Sequence, residues 1–263
     1  MSALQRLTEE AVELPSPPAI ALKILSAIQE NKSSFDELAE IIMVDPALTS
    51  RILKIANSSL YGIPRSIDSL SQATSLIGMR TLQNIALSFV IVANFQNVPE
   101  SRFDLDEFWR RSVSTAVAAE QINRLAPDAH EDIFLCALLQ EIGILITAIT
   151  NTDALSQVFE RKLVNGESFI QIERDILGYD HAEMGAYLLK SWELPESIYG
   201  PIQYHHEPSR SPIHQQSAQT LLTAQTISSI YYGSNSNRRA EDSRKLLHKH
   251  YGVEPEAAAA LID

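Results

Sequence analysis

Apolar residues recur at three- and four-residue spacing along almost the whole chain, while alternating runs bounded by turn residues are scarce. This pattern predicts an all-helical protein. Pro17-Pro18 opens a helix through Ile20, Leu22, Ile24, Leu25 and Ile28, because proline is tolerated where the first amides have no intrahelical partner. Asn31 and Lys32 end it. Ser34 with Glu37 forms a capping-box pattern ahead of Leu38, Ile41 and Ile42, and Asp45-Pro46 reads as a cap plus first-turn proline for a helix through Leu48, Ile52, Leu53 and Ile55. Tyr61-Gly62-Ile63-Pro64 predicts a turn, and Gly78 separates a helix around 73–77 from a strongly apolar one over 82–95. Later helices are expected over 105–125, 131–150, 154–164, 169–177, 181–192, 195–206 and 213–232, with Asp180 and Glu183 forming another capping box. Residues 233–237 read as a flexible polar loop and 240–263 as two short helices.

The stretch 97–104, with Pro99 and mixed charges, predicts a division into an N-terminal helical subdomain over 1–98 and a second one over 99–235, followed by a helical tail over 236–263. A chain of 263 residues that is 45% hydrophobic supports a sizeable core. Its 21 basic and 33 acidic side chains give a formal charge of -12, a field that repels phosphate backbones and anionic lipid. Cys136 stands without a second cysteine inside the apolar run 133–139, so a reduced, buried thiol and a cytoplasmic location are expected. The N-terminus lacks a basic region followed by an apolar core, and no run of about 18 uninterrupted apolar residues is present. Neither secretion nor a membrane span is expected.

Several phrases carry a resemblance. Leu14-Pro15-Ser16-Pro17-Pro18, residues 42–49 (IMVDPALT), Leu53-Lys54-Ile55-Ala56-Asn57-Ser58 and Leu76-Ile77-Gly78 precede Thr115-Ala116 and Leu138-Leu139-Gln140-Glu141-Ile142-Gly143. Then come residues 181–186 (HAEMGA), Trp192-Glu193-Leu194-Pro195 and Tyr204-His205-His206-Glu207-Pro208. Over about residues 10–210 this order resembles the HDOD domain, a bacterial relative of the HD and HD-GYP metal-dependent phosphohydrolases. The resemblance implies an HD-like multi-helix bundle preceded by an N-terminal helical subdomain.

A metal-assisted phosphohydrolase needs imidazole and carboxylate ligands converging from different helices, so that one or two cations activate water and neutralise developing phosphate charge. By resemblance, the first histidine ligand of HD proteins falls at Arg111, the paired His-Asp at Gln140-Glu141, and the final aspartate near Gln225. Arginine has no lone pair to offer, and glutamine supplies a weak neutral oxygen. Glu141 retains ligating capacity, and His181, His205 and His206 match family histidines. Those four are the ligand set if a metal binds at all; otherwise no metal and no cofactor is expected, and all seven are vestigial site positions. His181 then serves as a first-turn helix residue, and His205 or His206 sits near a helix C-terminus, where partial negative charge favours imidazolium. An Arg111–Glu141 ion pair would neutralise the old site. The Gly-Tyr-Pro signature of the HD-GYP branch, which hydrolyses cyclic di-GMP, is absent; Tyr199-Gly200-Pro201 holds the same residues in another order.

Residues 38–54 imitate a helix-turn-helix with Arg51 and Lys54 as its main cations, but Asp36, Glu37, Glu40 and Asp45 stand beside them. That charge pattern favours an antiparallel helix pair burying Leu38, Ile41, Leu48 and Leu53 over a DNA-reading element. Residues 82–95 are too short to span a membrane and read as a central core helix. No nucleophile elbow, Walker loop or dinucleotide fingerprint is present. The combined expectation is a non-catalytic regulatory module, a pseudo-enzyme acting through protein–protein contacts. Resemblance implies partners among two-component or cyclic-nucleotide signalling proteins, with a second copy of the chain as a further candidate and neither nucleic acid nor membrane expected. The alternative is a divergent metal-dependent phosphohydrolase.

Overall fold

In the computed structural model, residues 15–29, 35–57, 63–93, 95, 104–232 and 236–262 are described, and every regular element among them is helical. Contacts divide the chain into two compact units, Ser16–Gln96 and a larger one of Asn97–Asp263 with Pro15. The expected features at Leu14, Asn31-Lys32, Ser34, Ser58, Tyr61-Gly62, 97–103 and 233–235 lie outside the described residues.

The smaller unit comprises α1 (Ala19–Gln29), α2 (Phe35–Met43), α3 (Pro46–Ala56), α4 (Leu70–Ile77) and α5 (Met79–Ala93). The apolar α5 touches each of the other four, so it is the central helix of this unit. Asp45 caps α3 by accepting the Leu48 amide at 3.2 Å, and Pro46 takes the first helical position, where its missing N–H costs no hydrogen bond. α2 and α3 bury Leu38 and Leu48 as expected. Ile42 and Ile52 are also buried, however, while Ile41 and Leu53 are only half-buried, so the buried position falls one residue later in α2 and one residue earlier in α3. The Arg51 guanidinium lies 6.0 Å from the centre of the Phe89 ring on α5. One of the two main cations of the helix-turn-helix imitation is thereby turned onto an aromatic face. Asn57 pins the chain after α3: its amide donates to the Leu53 and Ile67 carbonyls at 2.8 Å each and accepts the Ile67 amide at 2.7 Å.

The larger unit runs through α6 (Leu105–Asn123), α7 (Ile133–Leu139), α8 (Ile142–Thr150), α9 (Thr152–Asn165), α10 (Phe169–Leu177), α11 (His181–Ser191) and α12 (Glu196–Gln203). A 3-10 turn (Pro208–Arg210), α13 (Gln215–Tyr232), α14 (Ser236–Tyr251) and α15 (Pro255–Ile262) complete it. α6, α7 and α13 pack together, α8 lies on α11, α11 on α12, and α14 covers α13. Ser236 and Asn237, expected in a loop, open α14 instead. The stretch 131–150 is two helices rather than one: Glu141 leaves helical geometry at φ -97, ψ 6, and its carbonyl accepts the Ile144 amide three residues on. Ile133–Thr150 has a mean hydropathy of 2.1, enough with its length for a membrane-crossing segment, and 83% of it is buried inside the fold. Gln140 and Glu141 interrupt this run, so it is not a stretch of 18 uninterrupted apolar residues, in line with the expectation.

α12 carries an internal proline, Pro201, which has no N–H to give to the carbonyl of Ser197 four residues back. The Cys136 thiol, from fully buried α7, approaches that carbonyl at 3.7 Å. The single cysteine thus offers a weak donor where the backbone donor is missing.

Candidate functional site

The interruption between α7 and α8 sets Glu141 at a helix start, and three imidazoles come to meet it from two other places in the larger unit. His181 is the first residue of α11, held by an Asp180–Glu183 capping box of the expected kind: Asp180 accepts the Glu183 amide at 2.9 Å, and Glu183 accepts the Asp180 amide at 3.1 Å. His205 and His206 follow α12, their ring centres 3.8 Å apart. α8 and α11 approach backbone to backbone here. A Cβ on Gly143 would lie 2.0 Å from the His181 carbonyl oxygen and 2.9 Å from the Gly185 amide, so only glycine permits this spacing.

Donor atoms of Glu141, His181, His205 and His206 all fall within 4.8 Å of one another. Glu141 Oε2 is 3.4 Å from His181 Nε2, Glu141 Oε1 is 3.3 Å from His205 Nε2, and His206 Nε2 is 2.8 Å from His181 Nε2. The far nitrogens of two rings are fixed by acceptors. Glu173 Oε2 stands 2.6 Å from His181 Nδ1 and also accepts the His181 backbone amide at 3.2 Å, while His205 Nδ1 donates to the Ile202 carbonyl at 2.7 Å. For His205, a proton held at Nδ1 leaves the Nε2 lone pair directed at the cluster. His205 Nε2 is buried and not angled for a hydrogen bond to Glu141 despite the short distance. Burial pushes the Glu141 carboxyl up, but the His181 and His205 imidazoles outweigh it and hold the group well below the usual carboxylate range. Burial likewise pulls His181 down, and Glu141 and Glu173 overcome this and raise it well above the ordinary value. His206 goes the other way, lowered by burial and then by its histidine neighbours, so the expectation of a favoured imidazolium near the helix end is corrected there.

Arg111 does not join this group. Its guanidinium sits 4.0 Å from Glu107 one turn earlier on α6, both side chains about half exposed. Both Glu141 oxygens already face other partners, so the expected Arg111–Glu141 pair is absent. Gln225 on α13 donates to Glu141 Oε1 at 2.6 Å, acting on the acid rather than beside it as a ligand. Gln140 is 1% exposed, with neither amide atom hydrogen-bonded within the protein. Glu173, 1% exposed on α10, is the functional residue that sequence reasoning missed. It lies three and four positions from Phe169, Ile170, Ile176 and Leu177, so an acid on the apolar face of that helix was the available signal.

Do these residues fit the metal that HD folds imply? Donors bonded to one tetrahedral zinc-like cation stand about 3.3 to 3.6 Å apart; the Glu141 contacts to His181 and His205 match that spacing, the 2.8 Å between His181 Nε2 and His206 Nε2 is shorter, and the whole set spans up to 4.8 Å. Three imidazole nitrogens and one carboxylate, two of the rings with oriented far nitrogens, suit a single borderline cation. Ligands for a second ion are lacking at Arg111, Gln140 and Gln225.

The family model described as HDOD domain matches residues 14–208. A Treponema pallidum (strain Nichols) protein described as uncharacterized is 26% identical over 211 residues, covering 76% of this chain and 39% of that protein. The chain therefore spans well under half the length of that relative. A crystal structure from Shewanella amazonensis SB2B, provisionally titled a phosphohydrolase, superposes with a TM-score of 0.80 at 23% identity, over 99% of this chain and 93% of that one. It establishes a shared fold. The MmoQ response regulator of Methylococcus capsulatus str. Bath is 27% identical with a TM-score of 0.51, over 96% of this chain and 99% of that one.

Proposed function

The chain belongs to the HDOD domain family, and from that membership we propose that it is a non-catalytic regulatory module acting through protein–protein contacts. The observation that carries the reading is the chemistry of Arg111, Gln140 and Gln225. One is paired with Glu107, one is an unpartnered amide, and one is spent on Glu141. The remaining donor set of Glu141, His181, His205 and His206, with donor atoms within 4.8 Å of one another, would fill all four positions of one tetrahedral ion with protein atoms. A site closed in that way is structural in character, whereas hydrolytic sites keep a position open for water. Any ion held there would supply rigidity to the junction of α8, α11 and the segment after α12. The likeness to a response regulator supports partners among two-component or cyclic-nucleotide signalling proteins in the cytoplasm, with a second copy of the chain as another candidate.

A divergent phosphohydrolase is the second reading, favoured by the convergence of four donors from separate segments. Metal analysis of the purified chain, combined with hydrolysis assays on cyclic dinucleotides and simple phosphoesters, separates the two. The regulatory reading expects at most one ion per chain and no turnover beyond that of His205→Ala. Turnover that rises in proportion to bound metal and vanishes in His205→Ala overturns it. Affinity capture from the source cell then identifies the partner.

A further inference from the structure

Beside the histidine cluster the larger unit opens into a cavity of about 870 Å³, a volume within the range that holds small organic ligands. Its hydroxyl groups share one property. Ser112, Thr115, Ser228 and Ser229 donate their protons to backbone carbonyls: Phe108 at 3.0 Å, Arg111 at 2.9 Å, Arg111 again at 3.4 Å and Thr226 at 2.6 Å. A hydroxyl has one proton and two lone pairs, so each of these presents acceptor capacity alone. The carboxylates of Asp104, Glu107, Glu141 and Glu160 also line the space, together with the His181 and His206 imidazoles. Of its two permanent cations, Arg111 lies 4.0 Å from Glu107 in a half-exposed contact and Lys162 donates to the Glu167 carbonyl. Phe108, Phe159 and Phe169 supply the apolar lining, the last two with ring centres 5.5 Å apart. Gln140, buried with both amide atoms unpartnered, lines the same space. Groups buried in that state cost roughly 1–3 kcal/mol each until a ligand or water meets them.

We propose that this cavity binds an organic cation with an apolar body, an aryl- or alkylammonium, rather than a phosphoester. Acceptor-rich walls need a ligand that donates, the excess of carboxylates needs a positive charge, and the phenylalanine faces favour a cation seated against an aromatic ring. The chain's formal charge of -12 disfavours phosphate. The inference goes beyond the regulatory reading and does not depend on it; an ammonium bound in a protein that has no partner leaves it standing.

Three probes of similar shape test it by titration calorimetry on the full chain: phenethylammonium, 2-phenylethanol and phenyl phosphate. The ammonium is expected to bind at least tenfold tighter than the alcohol, which is about 1.4 kcal/mol, and the phosphate is expected not to saturate. Glu160→Gln is expected to weaken the ammonium tenfold and leave the alcohol unchanged, while Phe169→Leu weakens both. Glu160 is exposed and Phe169 half-buried, so both variants are expected to fold, with circular dichroism as the check. Three results overturn the proposal: phosphate binding as tight as ammonium binding, ammonium binding indifferent to both substitutions, or no saturation by ammonium up to about 10 mM.

Discussion

Glu141, His181, His205 and His206 form one region of the larger unit; Arg111, Gln140 and Gln225 form another beside it, on the same kind of helical scaffold. The first region is prepared from behind. Glu173 and the Ile202 carbonyl hold ring nitrogens, and Gly143 lets α8 and α11 close to backbone contact. Around the second, Gln140 lacks partners and Arg111 turns to a half-exposed acid on its own helix. The supporting acceptors, as much as the helices, set which side chains are held facing a common point.

Removing the support from the first region has the largest expected effect. Glu173→Ala strips the buried partner from His181 and is expected to cost roughly 3–5 kcal/mol in urea unfolding; a loss below about 1 kcal/mol would show that the pair contributes little. Gly143→Ala follows at about 3 kcal/mol, because a methyl group must displace the His181 carbonyl, and an unchanged melting temperature would contradict that close approach. Gln225→Ala, measured the same way, is expected to lose roughly 1.5–3 kcal/mol, the value of a hydrogen bond to a charged group. Arg111→Ala is the smallest, within about 0.5 kcal/mol, since its contact with Glu107 is long and solvated. A larger loss there would erase the contrast between the two regions.

Much of the scaffold was legible because the signals are local. Asp45-Pro46, the Asp180–Glu183 box and the helix over 169–177 follow from neighbouring residues alone. The division of 131–150 was not legible, since the apolar run continues through it and only Gln140-Glu141 marks the place. At the site, the four converging residues were nameable by resemblance, yet their shared space depends on the meeting of α8, α11 and the turn after α12. Glu173 escaped because its partner lies eight residues away on another helix. The Arg111–Glu141 expectation failed for the same reason in reverse, since opposite charges in sequence do not fix which neighbour in space is nearer.

Cys136 answers the carbonyl that Pro201 leaves open, is fully buried, and has its thiol pushed well up by burial and then by Asp132. A thiolate is the reactive form, so in the native state this sulfur is shut to alkylating reagents. The chain consequently carries its own clock: the rate at which a maleimide couples to that one atom measures how often the heart of the larger bundle opens.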